Sequence, residues 1–168
     1  LPNGLNVILH KDNTIPRATV NVWYHVGSGS EKPKRTGFAH LFEHILFEGS
    51  QHVPEGKFDQ WLEAAGANNN GSTMEDRTNY YEDIPSNALD LALFLESDRM
   101  GFLIPSLNAG TVDGQRDVVK NERRQSYENR PYAKVNLELP ALLYPKDHPY
   151  SWPVIGSMED LTAASYQD

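Results

Sequence analysis

Apolar and polar positions along the chain alternate in some segments and follow a helical period in others, and this sets out the elements. Leu5 to His10 alternates and reads as a strand. Ala18 to Val26 is rich in β-branched and aromatic residues and reads as a second strand. From Thr36 to Gly49 the period lengthens to that of a short helix, with Thr36 suited to cap its start and Gly49 to close its end. Phe58, Trp61, Leu62 and Ala65 mark one face of a second helix ending at Gly66. Asn69 to Met74 and Thr78 to Ile84 form a candidate hairpin, although Asn68-Asn69-Asn70-Gly71 alone reads as a turn. Ser86 is placed to cap a helix running to Met100. Its Leu89, Leu91, Ala92, Leu93, Phe94 and Leu95 cover so much of the surface that burial on more than one side is expected. A charged helix with one apolar stripe follows over Thr111 to Glu128, another over Ala133 to Leu143, and a short one over Met158 to Ala164. This order predicts an α+β fold, with a mixed, largely antiparallel sheet packed against helices.

Composition narrows the class. The chain has 168 residues, 39% hydrophobic and 23% charged, as expected of one globular domain with a real core. A net charge of −8 argues against a nucleic-acid partner. No apolar run approaches the ~18 residues that span a bilayer. The chain contains no cysteine, which removes disulfides and thiolate ligands alike. Asn3-Gly4 is a hairpin-turn signature with only two residues before it. The domain, residues 1–168, is therefore expected to be a fragment of a longer protein. Any targeting segment would lie upstream of Leu1, which leaves the compartment open.

The chemistry concentrates in His40-Leu41-Phe42-Glu43-His44. On a helix, positions i and i+4 lie on one face, so His40 and His44 can direct two imidazoles at one ion. Glu43 reaches the same region. Two neutral imidazoles beside a carboxylate base are the parts of a hydrolytic zinc site. The other positions of the helix are mostly apolar, so it should be buried, and buried histidines need partners. This favours a metal over histidines that merely pack. A third ligand has to be a carboxylate or another histidine. Glu122 is the candidate, because Val118 and Val119 put it on the inward stripe of its helix. An ion pair with a neighbouring arginine is the alternative.

His40-Leu41-Phe42-Glu43-His44 followed, after 77 intervening residues, by Glu122 resembles the inverzincin signature of the pitrilysin/insulinase group of zinc metallopeptidases, which includes the mitochondrial processing peptidases. The resemblance extends to Leu1-Pro2-Asn3-Gly4-Leu5, Val26-Gly27-Ser28-Gly29-Ser30, Asn70-Gly71-Ser72-Thr73, Asp76-Arg77-Thr78-Asn79-Tyr80 and Ile155-Gly156-Ser157. It implies one zinc ion per chain on His40, His44 and Glu122, with Glu43 as general base. It implies that Asn70, Gly71, Ser72 and Thr73 are an edge strand to which a peptide or unfolded protein adds. Gly71 stands where the family often has alanine. The resemblance also implies a processing-peptidase-like half-domain, whose chamber is closed by a second homologous domain or a partner subunit. One position departs from the pattern. Gln115 occupies the place, seven residues before the distant ligand, where active members usually carry a second glutamate. It should share the inward face of Glu122, and it brings no charge.

Three function classes follow. The first is a zinc-dependent endopeptidase domain. The second is an inactive homologue that binds peptide or scaffolds a partner, which Gln115 keeps open. The third, a lyase sharing the H-x-x-E-H motif but using a cysteine ligand, is disfavoured by the absence of cysteine. His10, His25 and His148 are expected to be structural or exposed, and His52 to sit in a loop after the motif. Tyr80 and Tyr81 are expected to pack the sheet. Arg123, Arg124 and Arg130 should form a solvated face or ion pairs.

Overall fold

The computed structural model describes residues 1–167. Strands β1 (Arg17–Tyr24), β2 (Asn68–Thr73) and β3 (Thr78–Pro85) form one antiparallel sheet in the order β1-β3-β2. Val22 and Gly71 face Tyr80 from either side. The even-numbered residues of β1 and β3 point inward, so Ala18, Val20, Tyr24, Tyr80 and Ile84 join the core. Helices α1 (Phe38–Ile45), α2 (Lys57–Ala64) and α3 (Leu89–Ser106) pack with the sheet, followed by α4 (Ala109–Arg123), α5 (Val135–Leu143) and α6 (Met158–Ala163). The α+β layout with an antiparallel sheet agrees with the pattern of the sequence. None of the described helices is long and apolar enough to cross a membrane.

Several local expectations fail, each for a physical reason. Leu5 to His10 forms no strand: Ile8 is 93% and Leu9 92% exposed, and no neighbouring strand supplies a ladder for them. Asn3-Gly4 makes a turn, with the Gly4 N–H donating to the Leu1 carbonyl at 3.0 Å, but no hairpin follows. Ser86 does not cap α3. It begins a 3-10 turn, and its N–H donates to the Pro16 carbonyl. Helix α3 runs past Met100 and kinks at Phe102. Pro105 cannot donate to the Gly101 carbonyl one turn back, and its ring crowds that position. At the kink the Phe102 carbonyl accepts from the Gln51 N–H at 3.1 Å. On the same helix Ala92 and Leu95 are buried while Leu93 and Phe94 are exposed, so its apolar breadth does not mean burial on several sides. On α4, Val119 is buried and Val118 is 46% exposed, because adjacent helical positions lie about 100° apart and cannot both face inward.

Two apolar clusters make the core. Leu41, Ile45, Tyr80, Val112, Val119, Ile155 and Leu161 form one. Phe58, Leu62, Ile84, Ala92 and Leu95 form the other, and Phe47 packs against both. Between them lies a buried guanidinium. Arg99 pairs with Glu96 one turn back on α3 and, at 3.2 Å, with Glu82 of β3. Its Cζ sits 4.1 Å from the Tyr80 ring centroid, 4.6 Å from Phe58 and 5.4 Å from Phe47. Burial pushes the Glu82 carboxyl up to about 9, helped by the hydrogen bond and charge of Glu96. Glu82 therefore keeps its proton at neutral pH, and one guanidinium faces one carboxylate and one neutral acid.

Removing the cation from this box should be costly. Arg99→Met strands a buried Glu96 carboxylate and is expected to lower stability by about 3–5 kcal/mol in urea unfolding at pH 7. Glu82→Gln should cost far less, since the amide is close to the protonated acid in shape. Above about 4.5 the unfolded chain releases the Glu82 proton while the folded chain holds it, so this group makes stability fall as pH rises towards about 9. Glu82→Gln should flatten that alkaline decline. An unchanged slope between pH 6 and 9 would contradict the assignment.

Candidate metal site

Helix α1 starts on contacts that the local sequence hides. Thr36 is not its cap. The Glu31 carboxylate accepts from the Gly37 N–H at 3.0 Å and the Ala39 N–H at 2.8 Å, taking up orphan donors of the first turn. Burial pushes Glu31 up to about 7 despite those hydrogen bonds. The Thr36 hydroxyl donates to Asp160 of α6 at 2.6 Å and accepts from the Ser157 N–H at 3.0 Å. Gly37 has φ +87°, and a Cβ built on Gly156 would lie 2.4 Å from the Gly37 Cα, so the two backbones meet where no side chain fits. Leu41 and Ile45 turn into the core against Val112 and Val119 of α4. That choice of face leaves His40 and His44 one turn apart on the flank, ring centroids 4.8 Å apart.

Helix α4 supplies the third group. The Asn108 side chain caps it by accepting from the Thr111 N–H at 3.1 Å. With Val112 and Val119 buried, Gln115 and Glu122, each three residues further on, come to the same side. Glu122 Oε2 lies 3.2 Å from His44 Nε2 and 3.7 Å from His40 Nε2. One ligand atom from each of the three residues falls within a 4.8 Å set. A tetrahedral ion with ligands at ~2.0–2.1 Å has ligand–ligand edges of about 3.3 Å, so the donor set and its spacing fit zinc. Burial pushes the His40 imidazole down to about 4, with Glu122 opposing, so this ring is neutral at pH 7 and open to a metal. Burial acts the same way on His44, but the hydrogen bond and charge of Glu122 outweigh it and raise that ring. The hydrogen bond from His44 holds the Glu122 carboxyl below its ordinary value. The arginine alternative for Glu122 does not arise. Arg123 pairs with Glu128 and donates to the Gly156 carbonyl at 3.0 Å, and Arg124 donates to the Asn121 side chain.

Glu43 projects beside this set. Burial raises its carboxyl, and the Thr73 hydroxyl, which donates to Glu43 Oε2, pulls the other way. Asn70, Gly71, Ser72 and Thr73 lie in β2, not in a turn. Among the described residues β2 pairs only with β3, so the Asn-Gly pair is carried through the sheet by its ladder. A Cβ at Gly71 would come within 3.1 Å of Glu43 Oε1 and 3.2 Å of Phe47 Cε2, so glycine gives the carboxylate room. His40, Glu43, His44, Glu122 and residues 70 to 73 line one cavity of about 630 Å³. Phe47, Tyr127, Val154 and Ile155 complete its wall. Tyr127 comes from a π-helical turn, Arg124–Glu128, at the end of α4, a break in period that the charge pattern does not announce.

The remaining candidates fall as follows. Gln115 shares the side of Glu122, and its Nε2 donates to Glu48 Oε1 at 2.5 Å. His52 lies outside the cavity, with its Nδ1 2.6 Å from Asp98 Oδ1 and its ring against Phe102. His148 stacks on Tyr144. Tyr80 is buried in the sheet, while Tyr81 faces out.

Residues 6–150 match the family profile described as Insulinase (Peptidase family M16). The chain is 33% identical over 171 residues to the zinc protease PqqE of Helicobacter pylori, matching all of this chain and 37% of that protein. It is 32% identical over 154 residues to the human insulin-degrading enzyme, matching 90% of this chain and 14% of that protein. A crystal structure of a protease from Helicobacter pylori superposes with a TM-score of 0.86 at 31% identity, covering 94% of this chain and 37% of that one. The chain thus spans well under half the length of these relatives.

The Thr73–Glu43 contact has a measurable consequence. Thr73→Val removes a hydrogen bond that favours the charged carboxylate, so Glu43 should take up its proton at a higher pH. Carbon-13 NMR titration of the Glu43 carboxyl in metal-free protein reads this directly. A midpoint equal to that of the wild type would show that Thr73 does not tune Glu43.

Proposed function

Since the chain belongs to the insulinase family, peptidase family M16, we propose that it is the zinc-bearing domain of an endopeptidase acting on peptides or unfolded polypeptides. The observation that carries the reading is the convergence of His40 Nε2, His44 Nε2 and Glu122 Oε2 beside Glu43, in a cavity fronted by an edge strand. In this reading His40, His44 and Glu122 hold one zinc ion per chain. Zinc bound there supplies Lewis acidity towards the scissile carbonyl and lowers the pKa of the attacking water.

The chain's own residues do the rest. Glu43 accepts the proton of the attacking water and returns it to the departing amine as the C–N bond breaks. A carboxyl raised by burial suits both halves of that task better than an ordinary one. β2 receives the substrate as an added strand, through main-chain hydrogen bonds along Asn70 to Thr73. The bare Cα of Gly71 lets the peptide backbone pass close to Glu43. The domain is a fragment of a longer chain, and a second homologous domain or a partner subunit closes the cavity over the peptide. This accords with the 14% and 37% coverage of the relatives.

Metal analysis of protein purified without chelator tests the ligand set. About one zinc per chain is expected, with Glu122→Gln losing most of it. In the intact protein carrying this domain, Glu43→Gln should retain zinc and lose peptidase activity by about 10²–10⁴-fold. Retained zinc with no peptidase activity in the wild type would instead favour a peptide-binding or scaffold role.

A further inference from the structure

Asn70-Gly71 is the one place in β2 where an asparagine is followed by a residue without a side chain. It also sits where the strand's backbone is open. The Met74 N–H donates to the Arg77 carbonyl at 2.8 Å, which makes 74 and 77 a hydrogen-bonded pair at the end of the hairpin. Such pairs alternate with non-bonded ones along an antiparallel ladder. Ser72 opposite Asn79, and Asn70 opposite Tyr81, therefore exchange bonds with β3. Gly71, opposite Tyr80, turns its N–H and carbonyl the other way, to the edge on which no strand lies among the described residues. There the Gly71 N–H meets its own neighbour and donates to Asn70 Oδ1 at 2.9 Å. Asn70 is exposed, whereas Asn69 is half-buried and its amide donates to Asp59 at 2.7 Å.

This geometry sets a side-chain carbonyl beside a backbone nitrogen that the ladder does not hold. Attack of the Gly71 nitrogen on Asn70 Cγ forms a new C–N bond and closes a succinimide ring. The nitrogen gives up its proton, and the side-chain amide leaves as ammonia. Water then opens the ring at one of its two carbonyls. Opening at Cγ restores the ordinary backbone with an aspartate at position 70. Opening at the backbone carbonyl leaves the chain running through the former side chain, as isoaspartate. Glycine favours the closure, because no Cβ at position 71 crowds the ring as it forms. Asn68 and Asn69 are each followed by a residue that carries a side chain.

We propose that Asn70-Gly71 is a site of spontaneous deamidation that alters the open edge of β2. Either product places a new negative charge on the wall of the cavity that holds Glu43 and Glu122. Isoaspartate also adds a methylene to the backbone of β2, so Gly71 to Thr73 lose register with a peptide paired along that edge. The modification follows from the strand alone. Its effect on a peptide rests on the peptidase reading.

Peptide mapping by mass spectrometry tests the site in the intact protein carrying this domain, aged in mildly alkaline buffer beside a Gly71→Ala variant and a synthetic peptide of residues 58–77. A mass gain of about one dalton is expected at Asn70, with isoaspartate detected there and Asn68 and Asn69 unchanged. Gly71→Ala should slow the conversion by at least about tenfold. The aged fraction, separated by anion exchange, should keep its zinc and lose peptidase activity by at least about tenfold. An Asn70 that stays intact in the folded protein while the synthetic peptide converts would overturn the proposal. A modified fraction that cleaves peptide as fast as the unmodified one would overturn the effect assigned to it. Conversion at Asn70 in a protein with no peptidase activity at the outset would overturn the peptidase reading and leave the modification site standing.

Discussion

The buried Arg99 guanidinium is the constraint that the rest of the molecule is arranged around. A charge taken out of water is tolerated only when nearly every neighbour answers it. Here the answers come from several elements at once: Glu96 on its own helix, Glu82 and Tyr80 on β3, Phe58 on α2 and Phe47 just after α1. The box therefore fixes α3 against the sheet and brings the two apolar clusters together at Phe47. An apolar residue of similar volume could fill the space, but it would not demand one orientation of each neighbour.

That demand reaches the cleft. Phe47 packs against Arg99 on one side and, on the other, stands close to Gly71 of the edge strand. Glu43 reaches the same glycine and the same strand. The turn after the histidine pair is therefore located by the core, and the strand that walls the cavity is located by that turn. Glu122 arrives independently, through Val112 and Val119 of α4 packing on Leu41 and Ile45. Two helices that bury their aliphatic faces against each other have only their flanks left for polar work, and on those flanks lie the two imidazoles, the carboxylate and Gln115.

The sequence made the histidine pair, its glutamate and the α4 carboxylate legible because each depends on helical spacing within one element. The same logic placed the face of α2, whereas Asn68 to Gly71 alone reads as a turn and only the family resemblance marked it as a strand. It could not choose between Val118 and Val119, since neighbouring helical positions compete for one face. It overread Leu5 to His10, because alternation describes a strand's faces and says nothing about whether a partner is present to pair with it. Thr36 looked like a cap because the true cap, Glu31, lies outside the helix and reaches it only after the intervening chain has folded back. Arg99 and Glu96 carry no local signal of burial; only the three-dimensional contacts reveal that they are buried. Tyr127 escaped because a π-helical turn breaks the period by which its direction would be read.

The beginning of α1 is held by residues at the opposite end of the described chain. Thr36 and Asp160 are 124 positions apart, and Gly37 and Gly156 touch backbone to backbone. Closing so long a loop carries a large entropic cost before any contact repays it. A ribosome releasing this chain from its N-terminus would have finished β1, α1, α2 and the hairpin well before Asp160 emerged. Until then the histidine-bearing helix lacks its anchor, and during synthesis it is among the last parts of the domain to settle into its final position.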